Sequence, residues 1–143
     1  MGRQDWYAAE SSRKVLSRYR TFAVVGCSAK PWRASHDVAN YLIDVGYDVV
    51  CVNPNESECI VNIPCYPSLF AAAAEHDIEV VDIFRRADQA GIHVDEAIHI
   101  GAKAVWMQLG VIDEDAAARA EAAGLDVVMD RCPKIDHPSL PRV

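Results

Sequence analysis

Neither glycine-rich nucleotide signature occurs in this chain: there is no Gly-x-Gly-x-x-Gly, and no Gly is followed by Lys-Ser or Lys-Thr. Cysteine is sparse and unpatterned. Its five residues, Cys27, Cys51, Cys59, Cys65 and Cys132, make an odd number and contain no Cys-x-x-Cys pair, so no disulfide framework and no zinc or other metal site is expected. Positive charge is in deficit, with 14 Lys and Arg against 21 Asp and Glu and a net charge of −7. Nucleic acid and anionic membranes both call for a broad basic face, so neither is expected as a partner. No apolar run approaches the roughly 20 residues that span a bilayer. The N-terminal stretch is polar where a signal peptide would be apolar, and a cytoplasmic location is expected. The histidines His36, His76, His93, His99 and His137 fall at no metal-binding spacing.

What is present is 143 residues, half of them apolar, enough for one domain with a sizeable core. Residues 1–20 are read as an N-terminal helix, 21–132 as the domain, and 133–143, with three prolines, as an irregular tail. Within the domain, short apolar runs alternate with helical patterns. The strands are read as Thr21 to Cys27, Asp48 to Val52, Val80 to Phe84, Ala104 to Gln108 and Leu125 to Met129. Between the first two lies an amphipathic helix carrying Val38, Tyr41, Leu42 and Val45, with Ser35 as its N-cap and Gly46 at its end. Strands that alternate with helices pair in parallel through right-handed crossovers, and strands apolar throughout belong to a sheet covered on both faces. The expected fold is a three-layer, doubly wound, Rossmann-like α/β domain of about five parallel strands, with the flavodoxin-like strand order as the competitor.

In such sheets ligands bind beyond the carboxyl ends of the strands. The cations Lys30, Arg33, Arg85, Arg86 and Arg131 all fall on that edge of an otherwise acidic chain, which points to an anion site. The first loop, Gly26 to Ser35, adds a glycine for close backbone approach, the Ser28 hydroxyl and a helix N-terminus aimed at a phosphate. The second strand ends Val52-Asn53-Pro54, without the carboxylate that binds the ribose of NAD, and Glu56 and Glu58 lie further out. That disfavours NAD and suits NADP or coenzyme A.

The residues Val25-Gly26-Cys27-Ser28 with Pro31, Arg33 and Ser35, then Tyr41-Leu42, Gly46-Tyr47 and Val52-Asn53-Pro54, resemble the stand-alone CoA-binding proteins of bacteria and archaea. So do Val81 to Arg86, Val105 to Gly110 and Met129 to Cys132, and the fold is similar to the N-terminal domain of the succinyl-CoA ligase alpha subunit. The resemblance implies that coenzyme A, or an acyl-CoA, is bound by Gly26, Cys27, Ser28, Ala29, Lys30, Arg33 and Ser35 at its phosphates. It implies Asn53 and Pro54 near the adenosine, Phe84, Arg85 and Arg86 across the cleft, and Gln108 and Gly110 toward the pantetheine arm. The ligase subunit typically has a lysine after the second strand; this chain has Asn55-Glu56-Ser57-Glu58 there.

No catalytic residue is expected. The leading reading is a CoA-binding module, carrier or sensor. Two alternatives stand beside it: an NADP-dependent oxidoreductase, and a thiol-redox protein using Cys132, whose neighbour Arg131 would favour the thiolate. A homo-oligomer or a protein partner is left open.

Overall fold

The computed structural model describes residues 3–60 and 62–141; residues 1 and 2 of the expected N-terminal helix, and 142 and 143 of the expected tail, lie outside them. Its centre is one parallel sheet of six strands: β1 Thr21–Val25, β2 Asp48–Val52, β3 Cys65–Tyr66, β4 Val80–Ile83, β5 Ala104–Met107 and β6 Asp126–Met129. Their spatial order is β3-β2-β1-β4-β5-β6, which is the Rossmann order and not the flavodoxin-like one. The sixth strand is the one sequence reading lacks. β3 is two residues long and lies between Pro64 and Pro67, so it shows no periodicity to detect.

The sheet is buried on both sides because its strands alternate two apolar sets. Ala23, Val25, Val81, Ile83, Val105 and Met107 face α3 (Leu69–Ala73), α4 (Ala87–His99) and α5 (Glu114–Ala122). Phe22, Val24, Val80, Ala104, Trp106 and Val128 face α1 (Ala9–Arg18) and α2 (Ala34–Asp44). Alanines at 90, 97, 116, 117 and 120 are fully buried and let α4 and α5 lie close to the strands.

Both chain ends depart from expectation. The N-terminal segment is a 3-10 turn, Arg3–Tyr7, followed by α1, rather than one helix. The break at Ala8 turns Trp6 inward, where its indole N–H donates to Glu121 Oε2 at 2.9 Å. The Tyr7 hydroxyl donates to Glu114 Oε2 at 2.6 Å. The tail expected to be irregular forms α6, Pro133–Asp136, and a 3-10 turn, His137–Ser139. Its anchor is a bidentate pair: Arg131 Nε and Nη2 donate to Asp136 Oδ2 and Oδ1 at 2.7 and 2.8 Å. Burial alone would push the Asp136 carboxyl up, but its hydrogen bonds from Arg131 and Ser12 hold it below the ordinary carboxylate value.

One acid sits in the core. Asp82 lies on β4 between Val24 of β1 and Trp106 of β5, fully buried, with neither carboxyl oxygen bonded to a protein partner. Desolvation disfavours the anion and raises its pKa well above 3.8. The folded state therefore keeps a proton that the unfolded chain releases, and stability present below about pH 4 is lost as pH rises toward the folded value. In urea unfolding, Asp82→Asn should show a weaker fall in stability between pH 4 and pH 8 than the parent, with the two curves converging at the acid end; equal slopes would show that Asp82 does not titrate in this way.

Candidate functional site

The strand order reverses between β1 and β4, so the loops leaving them diverge and open a crevice at the carboxyl edge. A cleft of about 680 Å³ lies there, within the range of small-molecule sites.

Its floor depends on Gly26. The residue adopts φ +84, and a Cβ on it would stand 2.3 Å from the Phe84 carbonyl oxygen. The glycine thus permits the ends of β1 and β4 to touch. Its N–H donates to Val52 O, and Phe84 N–H donates to Val25 O, both at 2.9 Å, tying the three central strands together at the edge.

Beyond Gly26 the loop is braced from within. The Ser35 hydroxyl accepts from Ser28 N–H at 3.0 Å, and Ser28 Oγ accepts from Lys30 N–H at 3.1 Å. His36 Nδ1 meets Ser28 O at 2.9 Å. Ser35 is therefore not the N-cap of α2. That position is Arg33, whose side chain makes no capping bond, so the first amides of α2 lack a side-chain acceptor. An uncapped helix start presents those N–H groups and the positive dipole end to an anion. Lys30 and Arg33 are exposed at the same spot, and neither has a carboxylate within ion-pair distance among the described residues.

The cleft brings together most of the residues expected at the site: Gly26, Ser28, Lys30, Arg33, Ser35, Phe84, Arg85, Arg86 and Gln108, and also Cys132. Arg85 hydrogen-bonds Gln89, and Arg86 lies 3.5 Å from Asp88. Gln108 lines the cleft but is nearly buried, and its buried Oε1 has no hydrogen-bond partner among the described residues.

Other expected residues do not line it. Asn53 spends both halves of its amide on the loops, donating to Cys27 O at 2.8 Å and accepting from Asn55 N–H at 2.9 Å. Cys27 is buried beneath the loop, while Ala29 and Pro54 lie outside the lining. Gly110 serves the neighbouring turn: at φ +77 its N–H donates to the Asp130 carboxylate at 2.8 Å. Arg131, counted with the edge cations, is committed to Asp136 and to Tyr7 O. The lining adds residues that sequence reading missed, chiefly Lys134 and Ile135 from α6, with Asp37, Glu56 and Leu109. Lys134 pairs with Asp37 at 2.8 Å across the mouth. A tail taken as irregular gave no reason to look for a cleft residue there.

The sequence matches the family described as CoA binding domain over residues 20–138. It is 33% identical to YneT of Bacillus subtilis over 125 residues, covering 87% of this chain and 90% of that one. Two solved structures share the fold. One is a protein of Pyrococcus horikoshii at 38% identity and TM-score 0.87, covering 98% of this chain and 96% of that one. The other is a Thermus thermophilus protein at 29% identity and TM-score 0.83, covering 92% and 98%.

Gly26→Ala should cost roughly 1–3 kcal/mol from the positive φ alone, with the Phe84 carbonyl clash adding to it. Urea unfolding checks this; a loss below roughly 0.5 kcal/mol would mean that the loop can relax away from β4.

Proposed function

The chain belongs to the CoA-binding domain family, and we propose that its ligand is coenzyme A, held in the cleft at the carboxyl ends of β1 and β4. The observation that carries this reading is the uncapped start of α2 with Lys30 and Arg33 beside it. Backbone amides, a helix dipole and two cations without carboxylate partners suit the diphosphate of the ligand. The unpaired Gln108 Oε1 suits an amide N–H of the pantetheine arm. Glu56, on the β2 side of the cleft, would accept from ribose or adenine donors and repel a phosphate, so phosphate contacts fall to Lys30, Arg33, Arg85 and Arg86.

The role that follows is binding: a carrier or sensor of the cofactor. In the lining, Asp37 is neutralised by Lys134, which leaves Glu56 as the carboxylate facing the ligand, suited to hold its hydroxyl or amine donors.

Coenzyme A at millimolar concentration should raise the thermal midpoint, with dephospho-CoA, NAD and NADPH giving smaller shifts. Lys30→Ala and Arg33→Ala should each weaken binding about tenfold, the size of one charge-assisted hydrogen bond, and flatten its dependence on salt. Failure of coenzyme A to shift the midpoint at all would overturn the reading.

A second reading rests on Cys132, which lines the cleft with its thiol nearly buried. Thiol exchange with a CoA disulfide would leave a Cys132–CoA mixed disulfide and release one CoA thiol. Intact-mass measurement after such incubation should show an adduct that disappears in Cys132→Ser; an undiminished adduct in that variant removes Cys132 from the account.

A further inference from the structure

Spacing along the chain separates the cysteines, but the sheet gathers four of them. Cys51 and Cys65 are register partners on the adjacent strands β2 and β3. Cys51 also pairs with Val24 of β1, and Cys27 follows that strand just past Gly26. Cys59 comes in from the connection between β2 and β3. The sulfurs of Cys27, Cys51 and Cys59 all lie within 4.8 Å of one another. The Cys65 sulfur is 3.1 Å from that of Cys59.

We propose that Cys27, Cys51 and Cys59, with Cys65 as fourth ligand, form a tetrahedral thiolate site for a soft divalent cation of the zinc class.

The dimensions suit it. With metal–sulfur bonds of about 2.3 Å, the sulfurs of a thiolate tetrahedron stand about 3.8 Å apart, so Cys27, Cys51 and Cys59, all within 4.8 Å of one another, need small adjustments, while Cys65, which meets Cys59 at 3.1 Å but stands outside that three-sulfur group, must rotate toward Cys27 and Cys51. Four sulfur donors with no imidazole or carboxylate among them select zinc over magnesium or calcium. The surroundings suit a closed structural site: Cys27 and Cys51 are fully buried and Cys59 nearly so, while Cys65 is partly exposed and gives the ion a way in. The existing bonds are weak ones. Cys59 donates to Cys27 O at 3.1 Å and Cys65 to Glu56 O at 3.4 Å, and both carbonyls lie on the loops that the ion would join. Small core residues would fill this space as well as thiols do, but they would not converge four polarizable donors on one point.

Cysteine binds a metal ion as the thiolate. Binding must therefore release protons, and its affinity must fall steeply as pH drops. The ion would join the loop after β1, through Cys27, to the β2–β3 connection, through Cys59, and to β2 and β3, through Cys51 and Cys65. Occupancy stabilises that corner of the fold whether or not the cleft holds a ligand.

The test uses reduced full-length protein, stripped with a chelator, and Co2+ as the probe. Titration should give tetrahedral d–d bands with intense thiolate-to-cobalt charge transfer, saturating near one ion per chain, and Zn2+ should displace the cobalt and raise the thermal midpoint. Cys65→Ser should weaken the charge-transfer band and lower zinc affinity at least tenfold, while Cys132→Ser, outside the cluster, should change neither. Absence of charge transfer in the folded parent protein overturns the proposal. So does an unreduced sample two mass units light with a Cys59–Cys65 crosslink that still forms when zinc is in excess, because the pair would then be a disulfide rather than ligands.

Discussion

A side chain at residue 26 would occupy the space now filled by the Phe84 carbonyl, and the carboxyl edge of the sheet depends on that space being left to the carbonyl. Because Gly26 has none, β1 and β4 stay paired to their last residues before their loops part. The two hydrogen bonds flanking the contact, Gly26 to Val52 and Phe84 to Val25, lock three strands at the point where the order reverses. The cleft is the gap left when the loops diverge from that lock. Its free amides and unpaired cations come from the next ten residues, where the chain braces itself with Ser28, Ser35 and His36 and leaves the start of α2 uncapped.

Much of the fold was legible because burial on both faces writes itself as uninterrupted apolar runs. Phe22 to Val25, Val49 to Val52 and Ala104 to Met107 are such runs, and each lies in a strand. The strand order was not legible, since it is decided by which edges meet and not by any one segment. β3 escaped because two residues between prolines carry no period. At the cleft, local bonding differs from what residue preference suggests. Serine is a favoured N-cap, yet Ser35 bonds an amide seven residues earlier, a choice made by the folded loop. Asn53 and Arg131 carry the right chemistry for a ligand, but nearby partners in three dimensions consume it.

The cysteines make the same point from the other side. Their spacing resembles no metal motif, because the cluster is assembled from two strands, the loop after β1 and one connection, and register rather than sequence interval brings Cys51 beside Cys65. Asp82 is a further case. In sequence it is one acid within a strand, and only the sheet reveals that Val24 and Trp106 enclose it.

The Arg131–Asp136 clasp has a consequence for how the protein is made. It holds α6 in place, and α6 supplies Lys134 and Ile135 to the cleft wall, while the same arginine reaches back to Tyr7 near the other end of the chain. During synthesis the sheet can assemble as its strands emerge, but this wall cannot form until residues past 131 are released, after β6 is complete. The cleft wall is thus completed only after all six strands of the sheet have been made.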